Sequence, residues 1–170
     1  DNEIKSNCVG LVVNLDAVYG CEIDQTIILN NNDISVNTGG DNTGVVINTQ
    51  VSSYGSINQA VTMTGNTVNN NYSGGINIRN NTSSFGTQNQ TLTLNDNTVN
   101  DNGYGDGIEI SNTAYSNGTQ NQDIALTGNT VNYNYSNGIS IRNNSGYSGS
   151  QNQTITLSDN TVSDNDGDGI

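Results

Sequence analysis

The sequence predicts an all-β fold: a right-handed, single-stranded parallel β-helix, or β-solenoid, with about 31 residues and three short strands per rung. Three observations support this prediction. A set of motifs recurs in one register, apolar residues alternate with polar ones inside each repeat, and Asn, Gly, Thr and Ser dominate a chain without Pro. Asn, Gly and Ser favour turns, and a chain without Pro can donate a hydrogen bond from every backbone N–H.

Three short motifs mark the repeat. Asn-Gln comes first, Asn-Thr-Val follows, and Gly-Ile ends the unit, and each of them recurs at intervals of 31 or 32 residues. Such a period indicates units that stack on their neighbours. The rungs start near residues 25, 59, 90, 122 and 153, which gives about four and a half rungs over 25–170. A second period of about 63 residues indicates that two rungs were duplicated together.

Alternation within a rung defines the buried face. In Thr91-Leu92-Thr93-Leu94 and in Ile108-Glu109-Ile110 every second side chain is apolar, as in a strand with one buried face. Stacked rungs then place like residues above one another in columns, because no rung can bury its apolar face alone. The clearest predicted core columns are Val68, Val99, Val131 and Val162, and Ile76, Ile108, Ile139 and Ile170.

Strands are predicted near 91–94, 97–100 and 107–111, followed by a loop of about ten residues. The turn between the first two strands carries an Asn in each rung. Stacked amide side chains can donate to and accept from their copies above and below. We therefore predict a structural ladder of Asn66, Asn97, Asn129 and Asn160.

Charge and composition limit the partners of the chain. The net charge of −13 argues against nucleic acid and against anionic membranes. His is absent from the sequence, and with it the commonest general base and metal ligand. The longest apolar run, Val9 to Val13, is far shorter than the ~20 residues of a membrane span, so we expect no membrane insertion.

Residues 1–24 lie outside the repeat and are predicted to form an N-terminal cap or docking segment. Cys8 and Cys21, the two cysteines of the sequence, both fall there. A Cys8–Cys21 disulfide fits an oxidising compartment, and two buried thiols in a cytosolic protein are the alternative. The first residue is Asp1 rather than Met, which is expected of a processed product. Together these features favour an extracellular or cell-surface location.

Each predicted loop carries one aromatic residue shortly before a Gly. We interpret this set as an apolar stack under the loop, with a glycan-binding stripe as the alternative. The residues are Tyr54, Phe85, Tyr115 and Tyr147.

The Asn-Thr-Val string, a polar Gly-rich turn and Gly-Ile-x-Ile resemble the parallel β-helix repeat of the pectin-lyase-like superfamily over residues 25–170. The resemblance implies the fold and little about activity, since that family includes lyases, epimerases, tailspikes and adhesins. Family lyases use acidic calcium ligands with a basic residue on an outer strand face. The basic candidates are Arg79 and Arg142, which recur two rungs apart and are expected to pair with Glu109 or Asp106. Because a catalytic site normally breaks a repeat, we expect no enzymatic activity.

Calcium is the one cofactor that the sequence suggests. Asp164-x-Asp166-x-Asp168-Gly169 matches the first half of an EF-hand-type loop, and Asp101 and Asp106 give a weaker version in an equivalent rung. The alternative is that Asp, Asn and Gly serve here as turn formers.

The sequence ends at Ile170 inside an expected strand. An open strand edge can accept another copy, and repeated head-to-tail contacts give a filament. The leading hypothesis is therefore a secreted structural protein that forms an extracellular filament or surface fibre for adhesion or a biofilm matrix; a fragment of a longer solenoid is the other interpretation of the chain. The alternative function is a carbohydrate-binding or carbohydrate-cleaving β-helix. A minor alternative is ice binding through the outward Thr residues of each rung, such as Thr91 and Thr93.

Overall fold

The computed structural model describes residues 2–7, 10–39 and 42–170. These residues form strands and turns, and no helix among them could cross a membrane. The strands, in chain order, are β1 (Glu3–Lys5), β2 (Leu11–Ala17), β3 (Glu22–Asn30), β4 (Asp33–Ser35), β5 (Val45–Val51), β6 (Ser56–Thr64), β7 (Ile76–Thr82), β8 (Thr87–Asn95), β9 (Thr98–Asn100), β10 (Ile108–Tyr115), β11 (Thr119–Thr127), β12 (Thr130–Asn132), β13 (Ile139–Gly146), β14 (Ser150–Ser158) and β15 (Thr161–Ser163).

The strands coil into a parallel β-solenoid of about five turns, which confirms the predicted fold class. Each strand pairs in parallel with its counterpart one turn away. One five-stranded sheet has the order β13-β10-β7-β5-β2, and a second has the order β14-β11-β8-β6-β3. The short strands form the third side of the coil: β1 pairs with β4, and β9, β12 and β15 form a three-stranded sheet. Isolated bridges from Thr67 to Asp33 and to Thr98 join these two groups.

The coil begins before residue 25. Within the predicted cap at 1–24, β1, β2 and the first part of β3 already pair in parallel with the following turn. Leu11 pairs with Val45, and Ile23 pairs with Ile57. The segment lacks the motifs of the later repeats, yet it keeps their apolar alternation, and this alternation is sufficient for a strand to continue the stack.

The core consists of the predicted columns. Val68, Val99 and Val131 are fully buried, as are the isoleucines at 76, 108 and 139. Val162 is partly buried and Ile170 is exposed, because in this structure no turn covers them. The core therefore arises from like side chains that meet across successive turns.

The predicted ten-residue loop does not exist. In the fourth turn, β10 continues to Tyr115 and β11 starts at Thr119, so only residues 116–118 connect them. These connections are tight turns: Gly86 N–H donates to the Ser83 carbonyl at 2.8 Å, and both central residues, Ser84 and Phe85, have positive φ, as in type I′ turns. The Gln-Asn-Gln segments are strands whose Gln side chains find hydrogen-bond partners inside the coil.

The Gly of each Gly-Ile motif has a steric function. A Cβ at Gly107 would lie 2.5 Å from Cγ1 of Val131 and 2.8 Å from the carbonyl oxygen of Gly138. A Cβ at Gly75 or at Gly138 would clash in the same way with Val99 or with Val162. The glycine column therefore lets the valine column of the next turn pack against the backbone.

Candidate functional site

The predicted Asn ladder lies at the corner after each long strand. Asn66 Nδ2 donates to Asn97 Oδ1 at 2.9 Å, and Asn97 and Asn129 continue the chain at 3.0 and 2.9 Å. Each amide also donates to a backbone carbonyl of the preceding turn, as Asn129 Nδ2 does to Leu94 at 2.8 Å. The ladder is confirmed, and it extends toward the N-terminus through Asn32 and Asn2.

A second Asn ladder was missed by the sequence reasoning. It follows the short strands and donates in the same direction, with Asn71 Nδ2 to Asn102 Oδ1 at 3.0 Å and Asn102 Nδ2 to Asn134 Oδ1 at 2.9 Å. The signal was present, because these residues recur at 32 and 31 residues like the first set. The full ladder comprises Asn37, Asn71, Asn102, Asn134 and Asn165.

A buried amide cluster fills the coil between its middle and long strands. Gln90 Nε2 donates to Gln59 Oε1 at 2.6 Å and to Asn80 Oδ1 at 3.1 Å, and Gln90 Oε1 accepts from Asn80 Nδ2 at 3.0 Å. Gln88 and Gln122 extend the network to Asn80 and Asn112. The hydrogen bonds between these amides offset the free-energy cost of burying them. The glutamine ladder donates toward the N-terminal turns, opposite to the two asparagine ladders.

An open groove of about 970 Å³ runs across all five turns outside this cluster. Its floor is a third kind of ladder, in which exposed Asn side chains donate toward the N-terminus at 2.8–2.9 Å. The ladder consists of Asp24, Asn58, Asn89, Asn121 and Asn152. Evenly spaced amides along a groove can hydrogen-bond the hydroxyl groups of an extended ligand.

The aromatic residues predicted at the corner are not a buried stack. Tyr54 and Phe85 are 70% and 52% exposed and lie parallel, with ring centroids 5.1 Å apart and planes 4° apart. Tyr115 and Tyr147 form a looser tilted pair at 6.4 Å. The turns carry these rings outward because the loop expected above them is a strand connection. The alternative interpretation, a glycan-binding stripe, stays a prediction.

A second aromatic column was not anticipated. Tyr72, Tyr104 and Tyr135 lie on three successive turns after the short strands, with centroid distances of 5.0 and 5.3 Å and tilts of 47° and 44°. They are 49%, 67% and 59% exposed. Their recurrence at 32 and 31 residues was the available signal.

The arginines pair with acids one turn away, as predicted. Arg142 Nη1 donates to Glu109 Oε1 at 2.7 Å and lies near Asp106, while Arg79 is 3.9 Å from Glu109 on the other side. A small polar pocket lies between these side chains and Tyr104. Since Arg79 and Arg142 are both more than half exposed, each pair contributes at most about 1 kcal/mol.

The two-rung period has an electrostatic consequence. Ser111 lies between Arg79 and Arg142 and pairs in register with both of them, so one whole turn stands between the two arginines. Asp106 and Asp168 are likewise separated by Asn137, whose N–H donates to Asp106 and whose Oδ1 accepts from Asp168 N–H. Like charges stacked directly on neighbouring strands, roughly 4.8 Å apart, would repel. The alternation keeps them two turns apart.

The structure does not gather the predicted calcium ligands. In 2–7, 10–39 and 42–170, no three His, Cys, Asp or Glu residues are placed to hold a metal ion. Asp164, Asp166 and Asp168 are exposed on the last turn, and Asp101 and Asp106 lie two turns earlier. Calcium binding stays a prediction.

The N-terminal turn carries one perturbed ion pair. Lys5 Nζ lies 2.6 Å from Asp33 Oδ2. Hydrogen bonds from Lys5 and from the Ser35 hydroxyl lower the pKa of Asp33 below its usual value. The same bond to Asp33 raises the pKa of Lys5. Cys21 is exposed on this turn, and Cys8 lies outside the described residues, so the predicted disulfide stays a prediction.

The candidate site is therefore a set of repeated columns and not a single cluster of converging side chains. The outer surface offers two aromatic columns, an amide groove and a row of ion pairs. In comparisons with known proteins, the chain matches no family model, no curated protein and no solved structure.

Proposed function

We propose that this chain is a structural protein without catalytic activity, whose solenoids stack head-to-tail into an extracellular filament or surface fibre for adhesion or a matrix. The observation that carries the proposal is that the main contacts between turns are repeated in kind. Strand pairing, apolar columns and amide ladders join one turn to the next in the same way throughout the coil. A turn of a second copy offers the same kind of contact.

The terminal turns show what such a contact would bury. Ile124 and Leu126 are fully buried in β11, whereas Ile155 and Leu157, their partners in β14, are 42% and 37% exposed. A further turn over β14 would cover them and would also pair the outer edge of that strand. We infer that a second copy of the chain supplies that turn.

The chemistry of the polar residues supports a non-catalytic role. Arg79 and Arg142 recur with the two-rung period and are neutralised by Glu109 and Asp106. The amides of the cluster around Asn80 and Gln90 are occupied in one another's hydrogen bonds. The charged pairs and the amides therefore both stabilise the stacking of the turns.

Electron microscopy and sedimentation of the purified chain test the proposal. We expect filaments whose diffraction shows a layer spacing of about 4.8 Å. Leu157→Asp should reduce assembly to monomers, because a carboxylate would enter the covered face. Thr156→Asp, on the outward side of the same strand, is the matched control and should still assemble. A wild-type chain that stays monomeric at high concentration would contradict the proposal.

A second candidate function is carbohydrate binding, favoured by the exposed parallel rings of Tyr54 and Phe85 and by the amide groove. Aromatic faces and amides are suited to the apolar faces and hydroxyl groups of sugars. The chain would then be a right-handed member of the pectin-lyase-like superfamily. Calorimetric titration with soluble glycans tests this candidate, with Tyr54→Ala expected to weaken binding and Tyr133→Ala, an exposed tyrosine at another corner of the coil, as the control. Cleavage of polyuronates that Arg142→Ala abolishes would instead favour an enzyme.

A further inference from the structure

The tyrosine column of Tyr72, Tyr104 and Tyr135 combines three properties that no other aromatic group of the described residues shares. It contains three phenols in succession, its neighbouring rings lie 5.0 and 5.3 Å apart, and all three rings are about half exposed or more. At the other corner, Tyr54 faces a Phe, and Tyr115 and Tyr147 are 6.4 Å apart. The Tyr115 hydroxyl also accepts a hydrogen bond from Asn144 at 2.7 Å.

The backbone fixes the column in place. Tyr72 N–H donates to the Asn37 carbonyl and Tyr135 N–H to the Asn102 carbonyl, both at 3.0 Å. Asn71 and Asn134, the residues directly before these tyrosines, belong to the second buried Asn ladder. Gly103 N–H, directly before Tyr104, donates to the Asn71 carbonyl at 2.8 Å. The backbone around all three tyrosines is thus joined to neighbouring turns, while the edges of the rings remain open to solvent.

We propose that this column is a site of oxidative tyrosine coupling, which joins Tyr104 to Tyr72 or to Tyr135 by a carbon–carbon bond. The oxidant is hydrogen peroxide acting through a peroxidase. Peroxide takes one hydrogen atom from each of two phenols and becomes two waters. The two phenoxyl radicals form a bond between ring carbons ortho to the hydroxyls, and each displaced ring hydrogen moves to its oxygen. The products are one dityrosine and two waters.

The geometry favours a bond within one chain. Two rings at 5 Å need only a small rotation to bring ortho carbons together, and the fixed corner supplies the high effective concentration of an intramolecular reaction. The bond would connect two neighbouring turns outside the hydrogen-bonded ladder. A coil linked in this way resists separation of those turns, since the unfolded chain is constrained across about 31 residues. A bond of this kind within one chain does not require filament formation.

Treatment of the dilute chain with peroxidase and hydrogen peroxide tests the inference. We expect dityrosine fluorescence on a band of monomer size, with Tyr72–Tyr104 or Tyr104–Tyr135 identified by peptide mapping, and a raised melting temperature. Tyr104→Phe should abolish the monomer-band signal, because Tyr72 and Tyr135 are two turns apart. Tyr133→Phe, an exposed neighbour that belongs to none of the ring pairs among the described residues, is the control and should react like wild type.

Three outcomes would overturn the inference. These are an absence of dityrosine in the wild-type chain, an undiminished signal in Tyr104→Phe, or links that map to other tyrosines or to dimers. Circular dichroism of each variant before oxidation ensures that a lost signal reports lost coupling rather than lost fold.

Discussion

Asn97 donates twice to one oxygen of Asn129: its backbone N–H and its side-chain Nδ2 both lie 3.0 Å from the Asn129 Oδ1. The same Nδ2 donates to the Met63 carbonyl of the preceding turn, and the Asn97 Oδ1 accepts two bonds from Asn66. One buried side chain thus joins three turns, and no polar atom on it is left without a partner.

Asn97→Ala should therefore destabilise the chain strongly. The substitution leaves buried donors and acceptors of Asn66, Asn129 and Met63 unpaired, which costs about 3 kcal/mol in the free energy of unfolding. Urea denaturation measures the loss. Asn89→Ala removes an amide from the exposed groove ladder of the same turn and should cost less than about 1 kcal/mol. Equal losses would mean that burial does not decide the strength of a ladder.

Gly107→Ala should be far more harmful than Gly169→Ala. The two residues occupy the same column, yet a Cβ at Gly107 meets a backbone oxygen at 2.8 Å, whereas one at Gly169 meets only Val162 Cγ1 at 4.0 Å. We expect a loss of about 3 kcal/mol or more for Gly107→Ala and a change within about 0.5 kcal/mol for Gly169→Ala. Thermal unfolding of both variants checks the prediction, and a mild effect at Gly107 would contradict the steric function of the column.

Gln90→Glu should make stability depend on pH. A carboxylate inside the amide cluster loses the donor that binds Gln59 and Asn80, and burial raises its pKa above the unfolded value of about 4.3. The destabilisation is small below that pH and grows as pH rises toward the folded-state pKa. Denaturation at pH 4 and pH 7 should differ for this variant. Asn89→Asp, its exposed neighbour, should show little such difference.

The Lys5–Asp33 pair should contribute to stability over a defined pH range. The lowered pKa of Asp33 means that its contribution is complete above the unfolded value of about 3.9 and is lost as pH falls through the lower folded value. The raised pKa of Lys5 extends its contribution to alkaline pH, until pH rises through the folded value. An NMR titration should place the Asp33 carboxyl below its usual range, and Lys5→Met should move it upward. An unchanged midpoint in Lys5→Met would contradict the pair.

The sequence was sufficient to predict the coil, because a stacked fold repeats its contacts and therefore its residues. Val99 and Asn97 could be assigned to a column and to a ladder from their spacing alone. The extent of the strands was not predictable in the same way. Gln88 and Gln90 are polar and sit in turn-rich surroundings, and only the pairing with Asn80 across the coil explains why their segment is a buried strand.

The surface columns were predicted less well for a related reason. Repetition shows that Tyr54 and Phe85 share a position, yet it does not show that a strand follows them and that their rings, at the connection between two strands, are exposed to solvent. The tyrosine column escaped notice because Gly103 shifts Tyr104 by one residue relative to Tyr72 and Tyr135. The ion pairs of Arg142 were predictable, since they depend only on which rungs carry basic residues and which carry acidic ones.

In the part of the chain that the structure describes, the buried polar residues are all Asn, Gln, Ser or Thr, and none of them can gain or lose a proton in the physiological range. Acidification therefore acts on carboxylates and not on these residues, and the sequence has 16 Asp and Glu against three Lys and Arg. Neutralising the carboxylates relieves repulsion between neighbouring molecules without touching the interior, so mild acid should make the coils cohere while leaving each one folded.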